Sequence, residues 1–468
     1  MSEPLGRTFE ERAHALLAQP EIARNLGTAM DRSVGLRNAA FEGVDLDAMR
    51  SAGEAIRAHT IANLDRYLGE WSERAQARGT NVFFAADASE AVGYVRDVLR
   101  RRGARSVVKG KSMASEEIGL NHALEADGID VVETDLGEYI QQIAHEPPVH
   151  IIVPAIHRTR YDVRDLFNRV HGTDLSEEPE RLTRFARELL RERFLAADAG
   201  ITGVNFAIAE TGSITIVTNE GNGRMCSSLP KVHMAIMGME RILPSFRELS
   251  VMLPLLTGSA TGQRVSTYYN VISGPRRPED PDGPEELHVV VLDNGRSAVL
   301  ATEFRSILHC IRCGACQNVC PVFRHVGGHA YGAVYGGPIG AVLTPLLEGL
   351  ERHGDLPHAS SLCAACTDVC PVNIPLHEHL LALRRDVALE RAGLLERQAF
   401  RWWARVWSRP RLYRLAARML RVGQVAFARR GRIRRAPWPL SRWTRGRDLP
   451  PVASKTFHER WKERERGA

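Results

Sequence analysis

The most informative stretch of the chain reads Cys310-Ile-Arg-Cys313-Gly-Ala-Cys316-Gln-Asn-Val-Cys320-Pro321. Its cysteines follow the pattern C-x2-C-x2-C-x3-C-P, which is the spacing of bacterial-type iron–sulfur ligands. Three closely spaced thiolates can wrap a loop around one cluster, whereas the fourth cysteine starts the next segment and points to another cluster. The pattern therefore predicts an iron–sulfur protein.

The pattern recurs fifty residues later as Ser360-Ser-Leu-Cys363-Ala-Ala-Cys366-Thr-Asp-Val-Cys370-Pro371. In two-cluster proteins of this type, the last cysteine of each motif ligates the other cluster. We therefore expect cluster 1 to be held by Cys310, Cys313, Cys316 and Cys370. The expected thiolates of cluster 2 are Cys320, Cys363 and Cys366.

Ser360 stands where the repeat would place a fourth ligand of cluster 2. Cluster 1 has four thiolates and is predicted to be a [4Fe–4S] cluster. Cluster 2 has three, which leaves two alternatives. It is a [3Fe–4S] cluster, or a [4Fe–4S] cluster with one iron on Ser360, on water or on a ligand from a partner. Ser360 is thus a weak or vacant ligand position.

Zinc is the main competing interpretation of clustered cysteines. Structural zinc sites favour two C-x2-C pairs well separated in sequence, and four cysteines within eleven residues followed by proline fit that arrangement poorly. Seven of the eight cysteines belong to the two motifs, and the eighth, Cys226, is expected to be a small buried hydrophobic residue.

The composition indicates a globular protein of two or three domains, with 468 residues, 44% hydrophobic and 25% charged. The N-terminal residues lack the pattern of a secretory signal, and no apolar run reaches the length of a membrane span. We therefore expect a cytoplasmic protein. The net charge of +6 is uneven, because residues 401–468 carry 20 Lys and Arg against 4 Asp and Glu.

Four regions follow from the distribution of patterns. Residues 1–79 are predicted to form two long helices, 8–40 and 44–78. Residues 80–300 alternate between strand and helix patterns, which favours a three-layer α/β domain. Its predicted helices are 115–127 and one through Tyr139, and its predicted strands are 106–109, 129–133, 150–154, 204–209, 213–217 and 287–292. Residues 301–390 are predicted to form an α-helical two-cluster ferredoxin domain, because the 42 residues between Cys320 and Cys363 include apolar helical material. Residues 391–468 form a basic helical tail.

Polar residues gather at the predicted strand ends of the α/β domain. Ligands of open α/β sheets bind at the carboxyl edge of the strands, so an anion site involving Lys109, Lys111 and Lys231 is one interpretation. The alternative is that these residues are solvated charges and helix caps. Gly110-Lys111-Ser112 is not a nucleotide-binding loop, since that motif needs glycine where Arg105 stands.

Together with both cysteine motifs, two further segments give the chain a family resemblance: Lys-Gly-Lys-Ser-Met-Ala-Ser-Glu-Glu-Ile at 109–118 and Ala-Glu-Thr-Gly-Ser-Ile at 209–214. The chain resembles lactate-utilisation protein B over nearly its whole length. The resemblance implies a lactate-utilisation domain similar to the ribose-5-phosphate isomerase and CoA-transferase group, then an α-helical ferredoxin domain. It also implies that serine at position 360 is usual in the family.

The resemblance implies electron transfer during oxidation of L-lactate to pyruvate, with two partner subunits: a cysteine-rich-domain protein and a second protein of the same α/β fold. The alternative function is a catalytic subunit whose α/β domain binds a carboxylate or acyl substrate directly. A third is a scaffold whose clusters are structural or sense redox state.

The tail interleaves arginine with six of the seven tryptophans, namely Trp402, Trp403, Trp407, Trp438, Trp443 and Trp461. A basic amphipathic segment of this kind could lie on an anionic membrane surface or dock on an acidic partner subunit. A solvated extension is a further alternative, and no other feature of the sequence supports nucleic-acid binding.

Overall fold

The computed structural model describes residues 8–428, 431–437, 441, 444 and 447–467. The chain divides into two compact units, Met1–Val387 and Ala388–Ala468. The first unit contains both cysteine motifs, and the second contains the basic tail.

Four helices open the first unit: α1 (Phe9–Leu17), α2 (Pro20–Ala40), α3 (Leu46–Ala62) and α4 (Leu64–Ala77). The segments predicted to be helical are helical, but each of the two predicted helices, 8–40 and 44–78, is divided into two in the structure. Pro20 starts a new helix because proline has no N–H to donate and is tolerated in the first turn. Asn63, at φ −124°, leaves the helical region and separates α3 from α4.

The α/β region contains ten strands and nine helices. The strands are β1 (Asn81–Ala85), β2 (Ser106–Lys109), β3 (Asp130–Glu133), β4 (Ala199–Gly203), β5 (Phe206–Ile208), β6 (Ser213–Thr218), β7 (Val232–Gly238), β8 (Ile242–Leu243), β9 (Tyr268–Ile272) and β10 (Glu286–Leu292). The helices are α5 (Ala88–Arg101), α6 (Met113–Glu117), α7 (Leu120–Ala126), α8 (Leu136–Ala144), α9 (Arg160–His171), α10 (Pro179–Ala196), α11 (Asn222–Ser228), α12 (Phe246–Thr261) and α13 (Arg296–Leu300).

The strands form two sheets. Six parallel strands lie in the order β1-β10-β7-β4-β2-β3, and a smaller sheet has the order β8-β5-β6-β9. Every residue of β7 is buried, as expected for a central parallel strand covered on both faces. The mixed α/β class predicted from the sequence is therefore confirmed.

Three local predictions in this region were wrong. Residues 150–154 form no strand; Val149 N–H donates to the Pro154 carbonyl (2.9 Å), and His150 Nδ1 accepts from the Ile152 N–H (3.0 Å), which closes a turn. The predicted helix 115–127 is interrupted at Gly119, whose φ is +64°. The predicted strand 204–209 is shorter, because β4 ends at Gly203 and β5 begins at Phe206.

The cysteine-rich region is helical, as predicted. Its helices are α14 (Ala315–Asn318), α15 (Phe323–Val326), α16 (Gly337–Glu348), α17 (Leu350–His353), α18 (Ala365–Asp368) and α19 (Leu376–Arg391). No strand occurs between residues 301 and 387, all of which the structure describes. Buried side chains of this region share one hydrophobic core with the N-terminal helices and the sheets, so the cysteine-rich region packs directly against the α/β region.

The second unit contains α20 (Leu394–Trp407), α21 (Pro410–Gly423) and α22 (Phe457–Gly467). Neither α20 nor α21 has a buried residue, and Trp402 and Trp403 are more than half exposed. Trp438 and Trp443 lie outside the described residues. Among the helices that the structure describes, none combines the length and the apolar character of a membrane span.

Candidate iron–sulfur site

Four of the expected ligands line one small cavity. The thiols are those of Cys310, Cys313, Cys316 and Cys370, and the apolar part of the wall includes Ile151, Ile339, Ile374 and Leu376. Three of these cysteines come from the first motif and one from the end of the second, so the cavity, called cage 1 below, joins both motifs. Four thiols around an apolar cavity are the donor set of a four-iron cluster.

The other three motif cysteines form a second group. Burial raises the pKa of Cys320, and a further rise comes from the neighbouring Cys363. Burial also raises the pKa of Cys366 to about 11, with further contributions from Cys320 and Cys363. Cys320 and Cys366 are buried, whereas Cys363 is exposed. This group, called cage 2 below, therefore lies nearer the surface than cage 1.

The two motifs form the same loop. Arg312 and Gly314 in the first have φ of +60° and +70°, and their counterparts Leu362 and Ala364 have φ of +55° and +65°. Non-glycine residues in this left-handed region cost free energy and concentrate at functional sites. The conformation is thus imposed on both loops, including three positions where glycine is absent.

Ser360 occupies the place of Cys310 within the repeated loop. Arg312 N–H donates to Cys310 Sγ (3.4 Å), and Leu362 N–H donates to Ser360 Oγ (3.1 Å). The serine hydroxyl therefore receives the backbone donor that a ligand sulfur receives in the first loop. Whether this hydroxyl completes cage 2 as a fourth, weaker oxygen donor stays a prediction from the sequence repeat.

Burial raises the pKa of the cage 1 thiols and so disfavours the thiolate form in the absence of metal. The pKa of Cys313 is raised to about 12 and that of Cys370 to about 11, and burial is the main cause in each case. A thiolate is required to bind iron, so the positive charge of iron is what would stabilise these anions. No group of three Cys, His, Asp or Glu side chains within the described ranges is placed to hold a single metal ion. A cluster makes a different demand, because its thiolates bind iron atoms at separate corners.

Arginines from the N-terminal helices hold the cysteine loops. Arg50 Nε on α3 donates to the Cys370 carbonyl (2.9 Å), and Arg37 on α2 donates to the Val369 carbonyl (3.3 Å). Arg57, one per cent exposed, donates to the carbonyls of Glu240, Ile242, Leu308 and His309. Sequence reasoning missed these residues; the seven-residue spacing of Arg50 and Arg57 on one helix face was the available signal.

The three predicted anion-binding lysines do not come together. Lys109 is fully buried at the end of β2, where Nζ contacts Glu116 (2.8 Å) and Glu133 (2.6 Å). Burial disfavours its charge, but these carboxylates outweigh that effect and raise the pKa of Lys109. Lys231 is exposed and precedes β7, at the opposite edge of the parallel sheet. The prediction of a joint site is therefore corrected: Lys109 is held in buried ion pairs, Lys231 lies at the opposite edge of the sheet, and Lys111 lines a cavity that contains neither of the other two.

Cys226 is fully buried and packs in an apolar cluster with Val108 and Val132. Its thiol is within 3.4 Å of Thr134 Oγ1, and burial raises its pKa to about 12. The interpretation of Cys226 as a buried hydrophobic residue is confirmed.

Comparisons with known proteins agree with this arrangement of regions. Family models match for the LUD domain at residues 68–292, a 4Fe-4S dicluster domain at 306–374, and "Lactate utilisation protein B, C-terminal" at 388–466. A solved structure of a DUF162 family protein from Deinococcus radiodurans covers 49% of this chain and 98% of its own, with 18% identity. Its TM-score of 0.28 is too low to bear on the fold.

Curated relatives match over almost the full chain. Lactate utilization protein B of Bacillus licheniformis is 48% identical over 460 residues, covering 97% of this chain and 96% of the relative. The protein of that name from Shouchella clausii is 51% identical over 461 residues, covering 98% and 97%. With three family models in order along one chain and relatives of this identity, the chain belongs to the lactate utilization protein B family.

Proposed function

We propose that this chain is the iron–sulfur electron-transfer subunit in the oxidation of L-lactate to pyruvate, and that it relays electrons through two clusters. The observation that carries the proposal is the interleaving of the two motifs, in which Cys370 lines cage 1 beside three cysteines of the other loop. The names of the relatives supply the metabolic setting.

In this proposal cluster 1 is a [4Fe–4S] cluster on Cys310, Cys313, Cys316 and Cys370. Cluster 2 is held by the thiolates of Cys320, Cys363 and Cys366, with Ser360 at the fourth position, and contains three or four irons. The clusters supply one-electron carriers, and the chain's residues bury them, donate N–H groups to their ligands and set their potentials.

The burial of the two cages suggests which cluster meets a partner. Cys363 is exposed, whereas the cysteines of cage 1 are buried or half-buried. Cys366 of cage 2 is close enough to Cys316 of cage 1 to contribute to the raised pKa of the Cys316 thiol, so the two cages are neighbours. We therefore assign cluster 2 to electron exchange with another subunit and cluster 1 to the interior end of the relay.

The test is lactate-dependent electron transfer by the assembled complex. The chain is purified without oxygen and combined with the proposed partners, a cysteine-rich-domain protein and a second protein of the same α/β fold. Reduction of both clusters by L-lactate, seen by electron paramagnetic resonance (EPR), is expected. Cys316→Ala should abolish it, and Cys226→Ala, which changes a buried cysteine outside both cages, should leave it intact.

Turnover of L-lactate with an artificial acceptor by this chain alone would contradict the relay and favour the catalytic alternative. Clusters that L-lactate fails to reduce in the full complex would favour the structural scaffold.

We also propose that the basic tail docks on an acidic partner surface in the cytoplasm. Trp402 and Trp403 of α20 are exposed beside arginines, and such residues dominate protein interfaces. Replacement of Arg411 and Arg414 by Glu should weaken co-purification with the partner subunits. Unchanged assembly together with lost binding to anionic vesicles would instead indicate peripheral membrane contact.

A further inference from the structure

A cavity of about 420 Å³ lies at the carboxyl edge of the six-stranded sheet. Three neighbouring strands end at it: β7 at Gly238, β4 at Gly203, and β2 immediately before Gly110. Ligands of parallel sheets bind at this edge, and the volume falls in the ordinary range for small-molecule sites. The position and size are therefore those of a ligand site.

Two arginines in the lining of the cavity, Arg241 and Arg312, have guanidinium nitrogens with no hydrogen-bond acceptor among the described residues. Arg312 is 7% exposed, and its Nη1 is buried without a hydrogen-bond partner among the described residues. Nη1 of Arg241, which follows β7, is likewise buried and unpartnered within the described ranges. Leaving buried donors unsatisfied is costly, so these groups indicate a missing acceptor.

The carboxylates on the lining do not satisfy this demand. Glu240 is shared between Arg296 Nε (2.7 Å) and Arg312 Nη2 (3.4 Å). The remaining acids of the lining, Asp135 and Glu220, accept hydrogen bonds from backbone N–H groups at the start of α8. Asp135 Oδ1 accepts from the Glu138 N–H (3.2 Å), and Glu220 Oε2 accepts from the Leu136 N–H (3.1 Å). The arginine wall is thus left with donors for an incoming anion.

The rest of the lining indicates the kind of anion. Apolar side chains of Ile216, Met237 and Leu256 face the cavity, and Lys111 lines it with Nζ bonded to the Ile152 carbonyl (2.7 Å). Guanidinium groups bind planar carboxylates through paired hydrogen bonds. A ligand with a carboxylate at one end and an apolar portion at the other matches these surroundings.

The cavity also adjoins cage 1. Arg312 and Ile151 line both cavities, and Arg312 lies in the loop between Cys310 and Cys313. The Arg312 guanidinium stacks over the Tyr335 ring at 4.4 Å, which fixes its position between the two spaces. An anion bound to Arg312 would therefore be separated from cage 1 by the side chains that the two cavities share.

We propose that this cavity binds an organic carboxylate through Arg241 and Arg312, beside cluster 1, so that the ligand and the interior end of the relay share one arginine. The coupling to cluster 1 rests on the proposed function, whereas the binding of the carboxylate does not.

The experiment titrates pyruvate, 4-methyl-2-oxopentanoate and inorganic phosphate into the anaerobic full-length protein by calorimetry. We expect saturable binding of a carboxylate, tighter for the branched acid, and weaker binding of phosphate. Arg241→Gln should weaken carboxylate binding by about tenfold or more, Arg241→Lys should weaken it less, and Arg247→Gln on the exposed surface of α12 should leave it unchanged. Iron content and EPR spectra check that each variant keeps its clusters.

A second readout separates this proposal from a simple counter-charge role for the arginines. A saturating carboxylate should shift the midpoint potential of cluster 1 downward in the wild type and leave it unchanged in Arg241→Gln. Absence of saturable binding, or binding unaffected by Arg241→Gln, overturns the proposal. A lower potential in Arg241→Gln without carboxylate binding by the wild type also overturns it. If clusters are absent but the carboxylate binds, the relay fails and the binding site stands.

Discussion

The Ser360→Cys variant should give cluster 2 a fourth thiolate. Ser360 Oγ accepts from Leu362 N–H at 3.1 Å in the same turn in which Cys310 Sγ accepts from Arg312 N–H at 3.4 Å. A sulfur at position 360 would therefore face the cluster as Cys310 does, without a change of backbone.

Two magnitudes follow from this geometry. After mild oxidation by ferricyanide, the variant should retain about one more iron per chain than the wild type, because every iron of its cluster 2 has a thiolate. The potential of cluster 2 should also fall. Where the wild-type cluster has four irons with a neutral serine hydroxyl or water on the fourth, the new thiolate adds one negative charge. At about 4 Å from the cluster and an effective dielectric of about 20, that charge contributes about 4 kcal/mol, which is about 170 mV for one electron.

The assay combines iron analysis with EPR-monitored redox titration of anaerobic protein. The matched control is Ser361→Cys, which places a thiol one residue away on an exposed position. Equal iron retention in the wild type and Ser360→Cys would refute the reasoning, as would an equal gain in Ser361→Cys.

Three further predictions concern the surroundings of the clusters. Arg50→Gln should lower the potential of cluster 1 by about 90 mV, because a unit charge about 8 Å away at an effective dielectric of about 20 contributes about 2 kcal/mol. Redox titration measures the shift. Arg66→Gln on the exposed face of α4 is the control and should leave the potential unchanged. Gly314→Ala should make the absorbance of cluster 1 disappear at a lower temperature, because alanine at φ +70° adds about 1–2 kcal/mol of strain. Ala364→Gly should relieve comparable strain at φ +65° and raise the temperature at which the absorbance of cluster 2 disappears. Temperature shifts in the opposite directions would contradict the repeated loop. Acid should destabilise the protein, because burial lowers the pKa of three histidines to about 3 or 4, namely His150, His233 and His309. Below pH 6.5 the unfolded chain therefore binds more protons than the folded one, and the free energy of unfolding should fall as pH drops from 6.5 towards 4. Denaturant titration measures this slope, and replacement of the histidines by glutamine should reduce it.

The sequence predicted what depends on spacing and missed what depends on tertiary packing. The apolar segment between the two motifs predicted a helical region, which the structure has. The motif spacing predicted that Cys370 would join Cys310, Cys313 and Cys316, and these four residues line one cavity; the cluster ligation itself stays a prediction. The run at 150–154 forms a turn beside the first cysteine loop, where Ile151 is buried, Val153 is exposed and His150 Nε2 donates to Asn318 Oδ1 (3.1 Å). A short apolar run of this kind cannot be told from a strand by periodicity alone.

Other residues depended on strand order and direction. Lys109 is the last residue of β2, whereas Lys231 immediately precedes β7, and in a parallel sheet this puts the two lysines at opposite edges. Arg50 and Arg241 are two arginines among many, and only the packing of α3 and the end of β7 shows that they lie near cage 1 and its neighbouring cavity.

The most direct test of the central claim is the metal content of Cys370→Ala protein purified without oxygen, with cluster types resolved by EPR and Mössbauer spectroscopy. The wild type should contain about seven or eight irons per chain with matching sulfide. The variant should lose the four-thiolate cluster and keep the EPR signal of cluster 2, although Cys370 belongs to the second motif in sequence. Loss of cluster 2 with retention of cluster 1, or zinc in place of iron in the wild type, would contradict the account.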